Sequence, residues 1–351
     1  MAGFKKQDSI KDSIKNSKKD SMKNPKIDSK DSKNANKDSK KNIESSKKNP
    51  AQKQNIESTT TFFTQSCLAF EEFLKNNKPT IQSFHPHFED AFWEMVLVGG
   101  KRFRPNLLLS VVCAFAPQLR QNAYIPALAI ECLHTYSLIH DDLPCMDNAD
   151  LRRGSATLHK KYDETSAVLV GDGLNTYAFF LLSNAKFSAQ TRINLVQILS
   201  QNGGISGMIL GQSLDCAFEN VRLTRTQVDF IHTQKTAKLI AASLKMGAVI
   251  ANLSREMCEL LYTFGLKLGL FFQIRDDIID FTQDSKKSGK TSQNDAAKNS
   301  YVNLLGLSRA IKIKDEYATS LQNDLQSFDD SIESKNLKAN LELLLSAYFK
   351  E

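Results

Sequence analysis

After Pro144 the chain contains no proline through Glu351, a run of 207 residues. Proline disrupts helix interiors because it lacks a backbone N–H donor and its ring clashes with the preceding turn. Glycine, which also weakens helices, is sparse in the same stretch, and alternating apolar and polar patterns bounded by tight turns are absent. The sequence therefore predicts an all-α fold.

Apolar residues recur at helical spacing through most of the chain after residue 100. Some segments, such as Ile130–Ile139, are apolar nearly all round, which is typical of helices inside a large bundle. We predict helices over Asn106–Ala116, Ala127–His140, Thr165–Ser183, Thr191–Phe218, Thr226–Leu253, Glu256–Phe281 and Tyr301–Leu321.

The first 60 residues have a different composition. They hold 16 lysines and no arginine against 8 acidic residues, the dipeptide Asp-Ser recurs six times, and Phe4 is the only aromatic residue. Such a segment cannot bury enough apolar surface to offset its ordering entropy. We predict a disordered tail over 1–60, either a solubilising extension or an electrostatic tether to anionic lipid or RNA, followed by one large helical domain over 61–351.

The charge of the predicted domain argues against nucleic-acid binding, since it carries 30 basic and 31 acidic residues. The six cysteines show no C-x-x-C spacing, which favours reduced thiols in a cytosolic protein over disulfides or a zinc site. The N-terminus lacks the apolar region of a signal peptide, and no run of about 18 uncharged apolar residues is present. We therefore expect a cytoplasmic protein without a transmembrane span.

Two aspartate clusters follow strongly apolar helical segments. Asp276 and Asp280 are four residues apart and share one helical face, with Asp277 beside them. In the other cluster Asp141 and Asp142 are followed by Asp147, and Pro144 disrupts the helix so that two extra residues can loop out and return Asp147 to register.

Carboxylates without histidine or cysteine are ligands typical of Mg²⁺. An isolated acidic cluster is most often a solvated helix end, but two clusters beside apolar helices indicate a metal site across a bundle core.

Basic residues accompany both acidic clusters. Lys101 and Arg104 precede a helix, Arg152 and Arg153 follow the first cluster, Lys235 lies in an apolar helix, and Lys290 and Lys298 follow the second cluster. Arginine binds phosphate oxygens in a bidentate manner and lysine acts as a compact charge. Together with Mg²⁺ carboxylates, these groups predict two diphosphate sites above apolar pockets.

The order and spacing of these motifs resemble those of the trans-isoprenyl diphosphate synthases, also called polyprenyl synthetases, and within them the bacterial farnesyl diphosphate synthases and their geranylgeranyl-making relatives. The resemblance covers roughly residues 62–351. The matching motifs are Gly99–Pro105, Glu131–Asp147, Leu151–Gly154, Gly211-Gln212 with Asp215, His232–Ile240, Phe272–Asp280 and Gly289–Gly306.

The resemblance implies an isoprenoid-synthase-type bundle and a head-to-tail prenyl transfer. An allylic diphosphate, dimethylallyl or geranyl, loses its diphosphate to leave a cation, and isopentenyl diphosphate attacks that cation and then loses a proton. The family also implies a homodimer and three Mg²⁺ ions with substrate bound. These ions would be held by Asp141, Asp142, Asp147, Asp276 and Asp280, with Asp277 and Lys235 completing the catalytic set.

The resemblance also implies the substrate contacts, position by position. Residues expected at the allylic diphosphate are Arg152, Lys235, Thr236, Gln273, Lys290 and Lys298. Those expected at isopentenyl diphosphate are Lys101, Arg104, His134 and Arg153. Two departures from the family pattern are Asn148-Ala149, where a more acidic pair is common, and Ala237, where glycine is frequent.

Product length in this family depends on the floor beneath the first cluster. Ser137 lies four residues before Asp141 and Tyr136 five before. An aromatic residue near that floor goes with a fifteen-carbon product in the family, so we expect farnesyl diphosphate, with geranylgeranyl or another short-chain polyprenyl diphosphate as the alternative. A Tyr136 side chain turned into packing would leave that alternative open.

Two other functions compete with this interpretation. Terpene cyclases share the fold and an aspartate-rich motif, but Asp276–Asp280 together with Lys101 and Arg104 argues against cyclisation. A binding role, in which the tail docks the protein and the domain regulates a partner, leaves the metal and phosphate residues without a purpose.

Overall fold

The computed structural model of this protein describes residues 50–282 and 299–349, and helices joined by short loops form nearly all of that part of the chain. A 3₁₀ turn over Pro117–Leu119 and a π-helical turn over Thr233–Ala237 also occur among these residues. The all-α prediction is confirmed. The helices are α1 (Pro50–Asn76), α2 (Phe88–Leu97), α3 (Phe103–Phe115), α4 (Arg120–Asp141), α5 (Leu158–Lys161), α6 (Glu164–Ser183), α7 (Ala189–Gly203), α8 (Met208–Ala217), α9 (Arg225–His232), α10 (Lys238–Ile250), α11 (Arg255–Thr282), α12 (Tyr301–Leu305), α13 (Leu307–Gln326) and α14 (Ile332–Phe349).

Helix α3 lies at the centre of the bundle, between two apolar cores. Its Leu108 and Leu109 side chains join a core built mainly with α2, α4 and α6, whereas Leu107 and Val111 join a second core with α10, α11 and α14. All four side chains are fully buried. Helix α3 is therefore enclosed by other helices on both sides.

A smaller third core holds the segment that follows the second aspartate cluster. Ile274 of α11, Val228 and Ile231 of α9, and Tyr301 and Val302 of α12 are buried together. This core fixes α9 and α12 against the last turns of α11, where Asp276, Asp277 and Asp280 lie.

Glycines divide two segments that the sequence predicted as single helices. The predicted helix Thr191–Phe218 is wrong as one element, since α7 ends at Gly203 and α8 begins at Met208. A Cβ atom at Gly207 would lie 2.0 Å from the Asn202 carbonyl oxygen, so the chain turns sharply there. The predicted helix over 301–321 is likewise divided, because Gly306 has a φ of 81° between α12 and α13.

A short β-hairpin, unforeseen in the sequence, interrupts the helices after the first aspartate cluster. Strand β1 (Leu151–Arg152) pairs antiparallel with β2 (Ser155–Ala156). Arg153 and Gly154 form its turn with φ values of 54° and 79°, the left-handed conformation that two-residue hairpins require. The hairpin turns Arg152 back toward the end of α4.

The N-terminal boundary also differs from the sequence interpretation. Helix α1 begins at Pro50, so the last part of the 1–60 segment assigned to a tail is helical. The helix continues because Phe63, Phe70 and Leu74 are buried against the core, which stabilises its earlier turns. Residues 1–49 lie outside the described residues, and residues 50–282 and 299–349 belong to one compact unit.

Helix α11 is the one described helix that is long and apolar enough, by length and composition, to cross a membrane. Half of its most apolar window is buried inside the protein. Because it packs against α10 and the π turn and carries the second aspartate cluster, we interpret it as a core helix of the bundle.

Candidate active site

The chain after α4 folds back onto the end of that helix and brings the first aspartate cluster together. The backbone N–H of Asp147 donates to the carbonyl of Asp141 at 2.9 Å, and that of Ala149 donates to the carbonyl of Asp142 at 3.1 Å. Asn148 between them has a φ of 46°, which asparagine tolerates better than most residues. The extra residues around Pro144 loop out, as the sequence predicted.

Asp142 is buried and paired with the hairpin arginine. Its Oδ1 accepts a hydrogen bond from Arg152 Nε at 2.8 Å and another from Arg152 Nη2. Burial raises the pKa of Asp142, and the guanidinium opposes that rise. This fork-like contact fixes the end of α4 relative to the hairpin and occupies one oxygen of a predicted metal ligand.

Asp141 is held in an electrostatically mixed environment. Burial raises the pKa of the Asp141 carboxyl to about 6, with Lys235 lowering it and Asp147 raising it. Burial would lower the pKa of Lys235, but Asp215, Asp141 and Asp147 together raise it. Lys235 donates to Asp215 Oδ2 at 2.7 Å. The first cluster therefore faces a charged lysine.

The second cluster is anchored through its middle member. Asp277 Oδ2 accepts from the backbone N–H of Tyr301 at 2.8 Å, and its Oδ1 accepts from Gln273 Nε2 at 3.0 Å. Burial raises the pKa of Asp277 to about 7. Buried His232 lies 3.8 Å from the same carboxylate, whereas Asp276 and Asp280 are exposed. Asp277 thus ties α11 to α12, and its two neighbours face solvent.

The π turn brings Lys235 and Thr236 between the two clusters. Thr236 Oγ1 donates to Gln273 Oε1 at 2.9 Å, which connects the turn to α11 one turn before Asp277. Close approach requires Gly269 in α11, since a Cβ there would lie 2.2 Å from the Cα of Ala237. The glycine at position 269 therefore lets α11 approach Ala237 closely.

Beneath the π turn, a cavity of about 320 Å³ opens between α3, α4, α11 and α14. Arg104 Nη1 donates to His134 Nε2 at 3.0 Å across it. Burial lowers the pKa of Arg104 to about 10, and burial followed by the charges of Arg104 and Arg153 lowers that of His134 well below its ordinary value. The cavity brings together four residues predicted from the sequence at isopentenyl diphosphate, namely Lys101, Arg104, His134 and Arg153.

The loop before α3 shapes the cavity mouth. Arg102, with a φ of 45°, points inward and pairs with Glu131 at 2.8 Å and with Glu71 at 3.0 Å. Arg153 donates to the Val98 carbonyl at 3.1 Å. A Cβ at Gly100 would lie 2.8 Å from the Arg153 guanidinium carbon, so this glycine makes room for the arginine.

Several cavity residues were given no role by the sequence interpretation, Arg275 and Tyr348 among them. Arg275 is buried beside Asp276, with 3.4 Å between Nη1 and Oδ1. Its place next to a cluster aspartate was a signal that could have found it. Tyr348 comes from α14, and nothing in its local sequence points to the cavity.

The predicted chain-length residues lie directly before the first cluster. Tyr136 is 7% exposed, and its ring meets that of His140 edge-on at 5.5 Å. Burial, followed by the charge of Asp141, raises the pKa of Tyr136 to about 12. Ser137 Oγ donates to the His134 carbonyl at 2.8 Å. Two other predicted contacts, Lys290 and Lys298, lie outside the described residues.

The acidic clusters fit Mg²⁺ in the chemistry of their donors. Among residues 50–282 and 299–349, no three histidine, cysteine, aspartate or glutamate side chains converge into a preformed metal site. Mg²⁺ is commonly held by one or two carboxylates, with phosphate oxygens and water completing its octahedron. Asp147 raises the pKa of Asp141, a repulsion that a divalent cation would relieve.

Comparison with known proteins agrees with this geometry. A profile of the polyprenyl synthetase family matches residues 85–340. The chain belongs to the polyprenyl synthetase family. Its membership in this family and its similarity to curated relatives show that this polyprenyl synthetase is a prenyltransferase with trans-prenyl diphosphate synthase activity.

Two curated relatives of this polyprenyl synthetase differ in product. The farnesyl diphosphate synthase of Micrococcus luteus is 38% identical over 259 residues, covering 72% of this chain and 88% of that protein. A chloroplastic geranylgeranyl pyrophosphate synthase of Capsicum annuum is 39% identical over 250 residues, covering 70% of this chain and 68% of that protein. Because relatives with different products are about equally identical to this chain in sequence, sequence identity does not decide the product length.

One solved structure shares this fold over nearly the whole length of its own chain. The geranyltransferase from Helicobacter pylori, crystallised with magnesium and isoprenyl diphosphate, is 54% identical with a TM-score of 0.80. The match covers 84% of this chain and 98% of that one. The bundle of this polyprenyl synthetase is therefore that of the isoprenoid synthases, as the sequence predicted.

Proposed function

We propose that this polyprenyl synthetase joins isopentenyl diphosphate head-to-tail to dimethylallyl or geranyl diphosphate and releases farnesyl diphosphate. The observation that carries the proposal is the cavity holding Arg104, His134 and Arg153 next to Asp276 and the π turn. One basic pocket thus adjoins an acidic, lysine-bearing site. That arrangement suits two diphosphates of which only one departs.

The basic pocket would hold isopentenyl diphosphate through Lys101, Arg104, His134 and Arg153. None of these side chains is an evident proton acceptor, since His134 already accepts from Arg104. Their task is to fix the donor so that its double bond points at the allylic carbon. Holding two reactants in this way removes much of the entropic barrier of a bimolecular step.

The allylic diphosphate would lie above the π turn, contacted by Arg152, Lys235, Thr236 and Gln273, with Lys290 and Lys298 assigned by family resemblance. Its C–O bond breaks, the isopentenyl double bond forms the new C–C bond, and the departing diphosphate takes the released proton. Fixed cations at the leaving group stabilise its developing charge. A pocket that closes around the hydrocarbon chain would exclude water from the cation.

Asp141, Asp147, Asp276 and Asp280 would hold Mg²⁺, and we propose three ions when substrate is bound. Bound Mg²⁺ supplies charge neutralisation to the departing diphosphate. Asp142 and Asp277 accept hydrogen bonds from Arg152 and from Tyr301. These two carboxylates therefore act mainly by orienting their neighbours, with any metal contact through water.

A fifteen-carbon product is supported by Tyr136, whose buried ring sits close enough to Asp141 for the carboxylate to raise its pKa. An aromatic ring at that position would shorten the space beneath the allylic site. Geranylgeranyl diphosphate is the second candidate, favoured by the likeness to plant synthases of that product.

We propose a cytoplasmic homodimer. Val168, Leu169 and Phe180 of α6 expose apolar side chains, with 38%, 50% and 58% of their surface accessible. A contiguous patch formed by these side chains would suit a subunit interface. Light scattering of the purified protein tests this assembly: a mass near 79 kDa, twice the 39.3 kDa of one chain, is expected. We also propose that residues 61–351 suffice for catalysis, so that deleting residues 1–60 leaves turnover unchanged.

The deciding experiment incubates the protein with Mg²⁺, labelled isopentenyl diphosphate and each allylic primer, followed by sizing of the products. Farnesyl diphosphate as the main product from both dimethylallyl and geranyl diphosphate supports the proposal. Longer products would favour geranylgeranyl synthesis. No condensation with any primer would overturn the activity.

A further inference from the structure

The last helix places an aromatic ring in the wall of the basic cavity. Tyr348 is 7% exposed and lines the cavity together with Lys101, Arg104 and His134. It lies more than 200 residues along the chain from each of those three side chains. The cavity is therefore completed by the C-terminal end of the described chain, which carries none of the motifs that the sequence displays.

Two cations lie against this ring. Lys101 Nζ is 4.5 Å from the ring centroid of Tyr348, and the guanidinium carbon of Arg275 is 5.3 Å from it. Both distances are within the range of cation–π attraction. Lys101 is exposed and its long side chain would otherwise sample many rotamers, so contact with the ring restricts where its ammonium group lies.

The ring itself is held in place by two other aromatic residues. Phe272 meets Tyr348 edge-on at 4.6 Å and Phe103 does so at 5.6 Å, and both also line the cavity. Phe103 and Phe272 contact each other at 4.5 Å. The three rings form one packed cluster, because each contacts the other two, and both cations rest against the Tyr348 ring of that cluster.

We propose that Tyr348 is a positioning residue of the basic cavity, holding Lys101 and Arg275 where they face a bound diphosphate. The inference deepens the proposed function, since it assumes that isopentenyl diphosphate occupies this cavity. It adds Arg275 and the end of α14 to that site. Pre-positioned cations lose less entropy on binding, so the ring increases affinity without contacting the phosphates.

The inference predicts an effect confined to one substrate. Replacing Tyr348 by leucine removes the ring but retains apolar volume, and Lys101 and Arg275 lose their support. We expect the KM for isopentenyl diphosphate to rise about tenfold, the change that one to two cation–π contacts are worth. The KM for geranyl diphosphate should remain within about twofold, because its proposed contacts lie at the π turn and the hairpin.

Two further variants separate the ring from its hydroxyl and from the helix. Tyr348→Phe retains the ring and should bind isopentenyl diphosphate nearly as the wild type does. Phe349→Leu is the matched control, since Phe349 is the next residue of α14 but packs on Phe271 at 5.4 Å. It should change the melting temperature but leave both KM values unaltered.

Calorimetric binding of isopentenyl diphosphate to the full-length protein provides a readout that does not require turnover. A selective loss of affinity in Tyr348→Leu supports the inference. Equal losses in Tyr348→Leu and Phe349→Leu, equal losses in Tyr348→Leu and Tyr348→Phe, or no loss in Tyr348→Leu would each overturn it. If the wild type binds this ligand but condenses it with no primer, the proposed reaction fails while the positioning role stands.

Discussion

Arg104 and His134 form a hydrogen bond of 3.0 Å in which the guanidinium Nη1 donates to the imidazole Nε2. Burial, followed by the charges of Arg104 and Arg153, lowers the pKa of His134 well below 6.5. The imidazole is therefore neutral at pH 7 and retains the lone pair that accepts the bond. A histidine placed among arginines here acts as an acceptor that orients one of them.

Removing that acceptor should weaken the basic cavity. We expect His134→Leu to raise the KM for isopentenyl diphosphate about tenfold, because an unpaired buried donor on Arg104 costs roughly 1–3 kcal/mol. His134→Gln, which keeps an acceptor, should lose less. Steady-state kinetics with each substrate varied in turn check this. Equal effects of the two variants would contradict a role as acceptor.

Stability should depend on pH through His232. Burial lowers the pKa of His232 from 6.5 to about 4, so the unfolded chain binds a proton at a higher pH than the folded protein does. The contribution of the neutral imidazole is thus fully present above pH 6.5 and is lost as pH falls toward 4, by about 2 kcal/mol at pH 5.

The contribution of Asp277 to stability has the opposite pH dependence. Its pKa is raised to about 7, so its contribution is present at low pH and is lost as pH rises through 7.

Because the two groups act in opposite directions, the His232 prediction is tested by comparing the wild type with His232→Gln by urea unfolding at pH 7 and pH 5. The difference in unfolding free energy between the two proteins should narrow at pH 5, and a constant difference would contradict the prediction.

The Asp142–Arg152 pair should behave as a coupled unit. Arg152→Met leaves the Asp142 carboxylate buried at 1% exposure without its guanidinium, and we expect a loss of about 3 kcal/mol in unfolding free energy. Asp142→Asn with Arg152→Met should cost less than the sum of the two single changes. Urea unfolding of all four proteins measures the coupling, and additive losses would show that the pair contributes nothing as a pair.

Tyr136→Ala should lengthen the product. The substitution opens space beneath Asp141, so chains of twenty carbons or more should replace the fifteen-carbon product. Tyr136→Phe keeps the ring and serves as the control, with product length unchanged. Chromatographic sizing of the labelled products checks both variants. A fifteen-carbon product from Tyr136→Ala would place the floor of the pocket elsewhere.

The helices were predictable where burial is continuous along the chain. The segments of α3, α4, α6, α10 and α11 read as apolar helices in sequence, and the structure has them as helices. The breaks at Gly207 and Gly306 were not predicted. A glycine in a helical pattern is tolerated or ends the helix according to what surrounds it, and sequence periodicity does not report that surrounding.

The site, too, has a part that the sequence predicts and a part that it does not. Aspartate and basic motifs are local patterns, so their residues could be named from the chain, and the basic cavity indeed unites Arg104, His134 and Arg153. The partners of those residues could not be named. The contact of Asp142 with Arg152 depends on a hairpin of two-residue strands. The contact of Asp277 with the Tyr301 backbone depends on the docking of α12.

The sequence by itself determined the helical class, the family and the chemical types gathered at the site, because proline absence, helical period and motif spacing are properties of consecutive residues. Only the tertiary structure decided which carboxylates are tied up by neighbours, how the π turn fits over Gly269, and that Tyr348 closes the cavity. Each of these depends on contacts between residues far apart in the chain, where burial and distance set the charge, the pKa and the partner of a side chain.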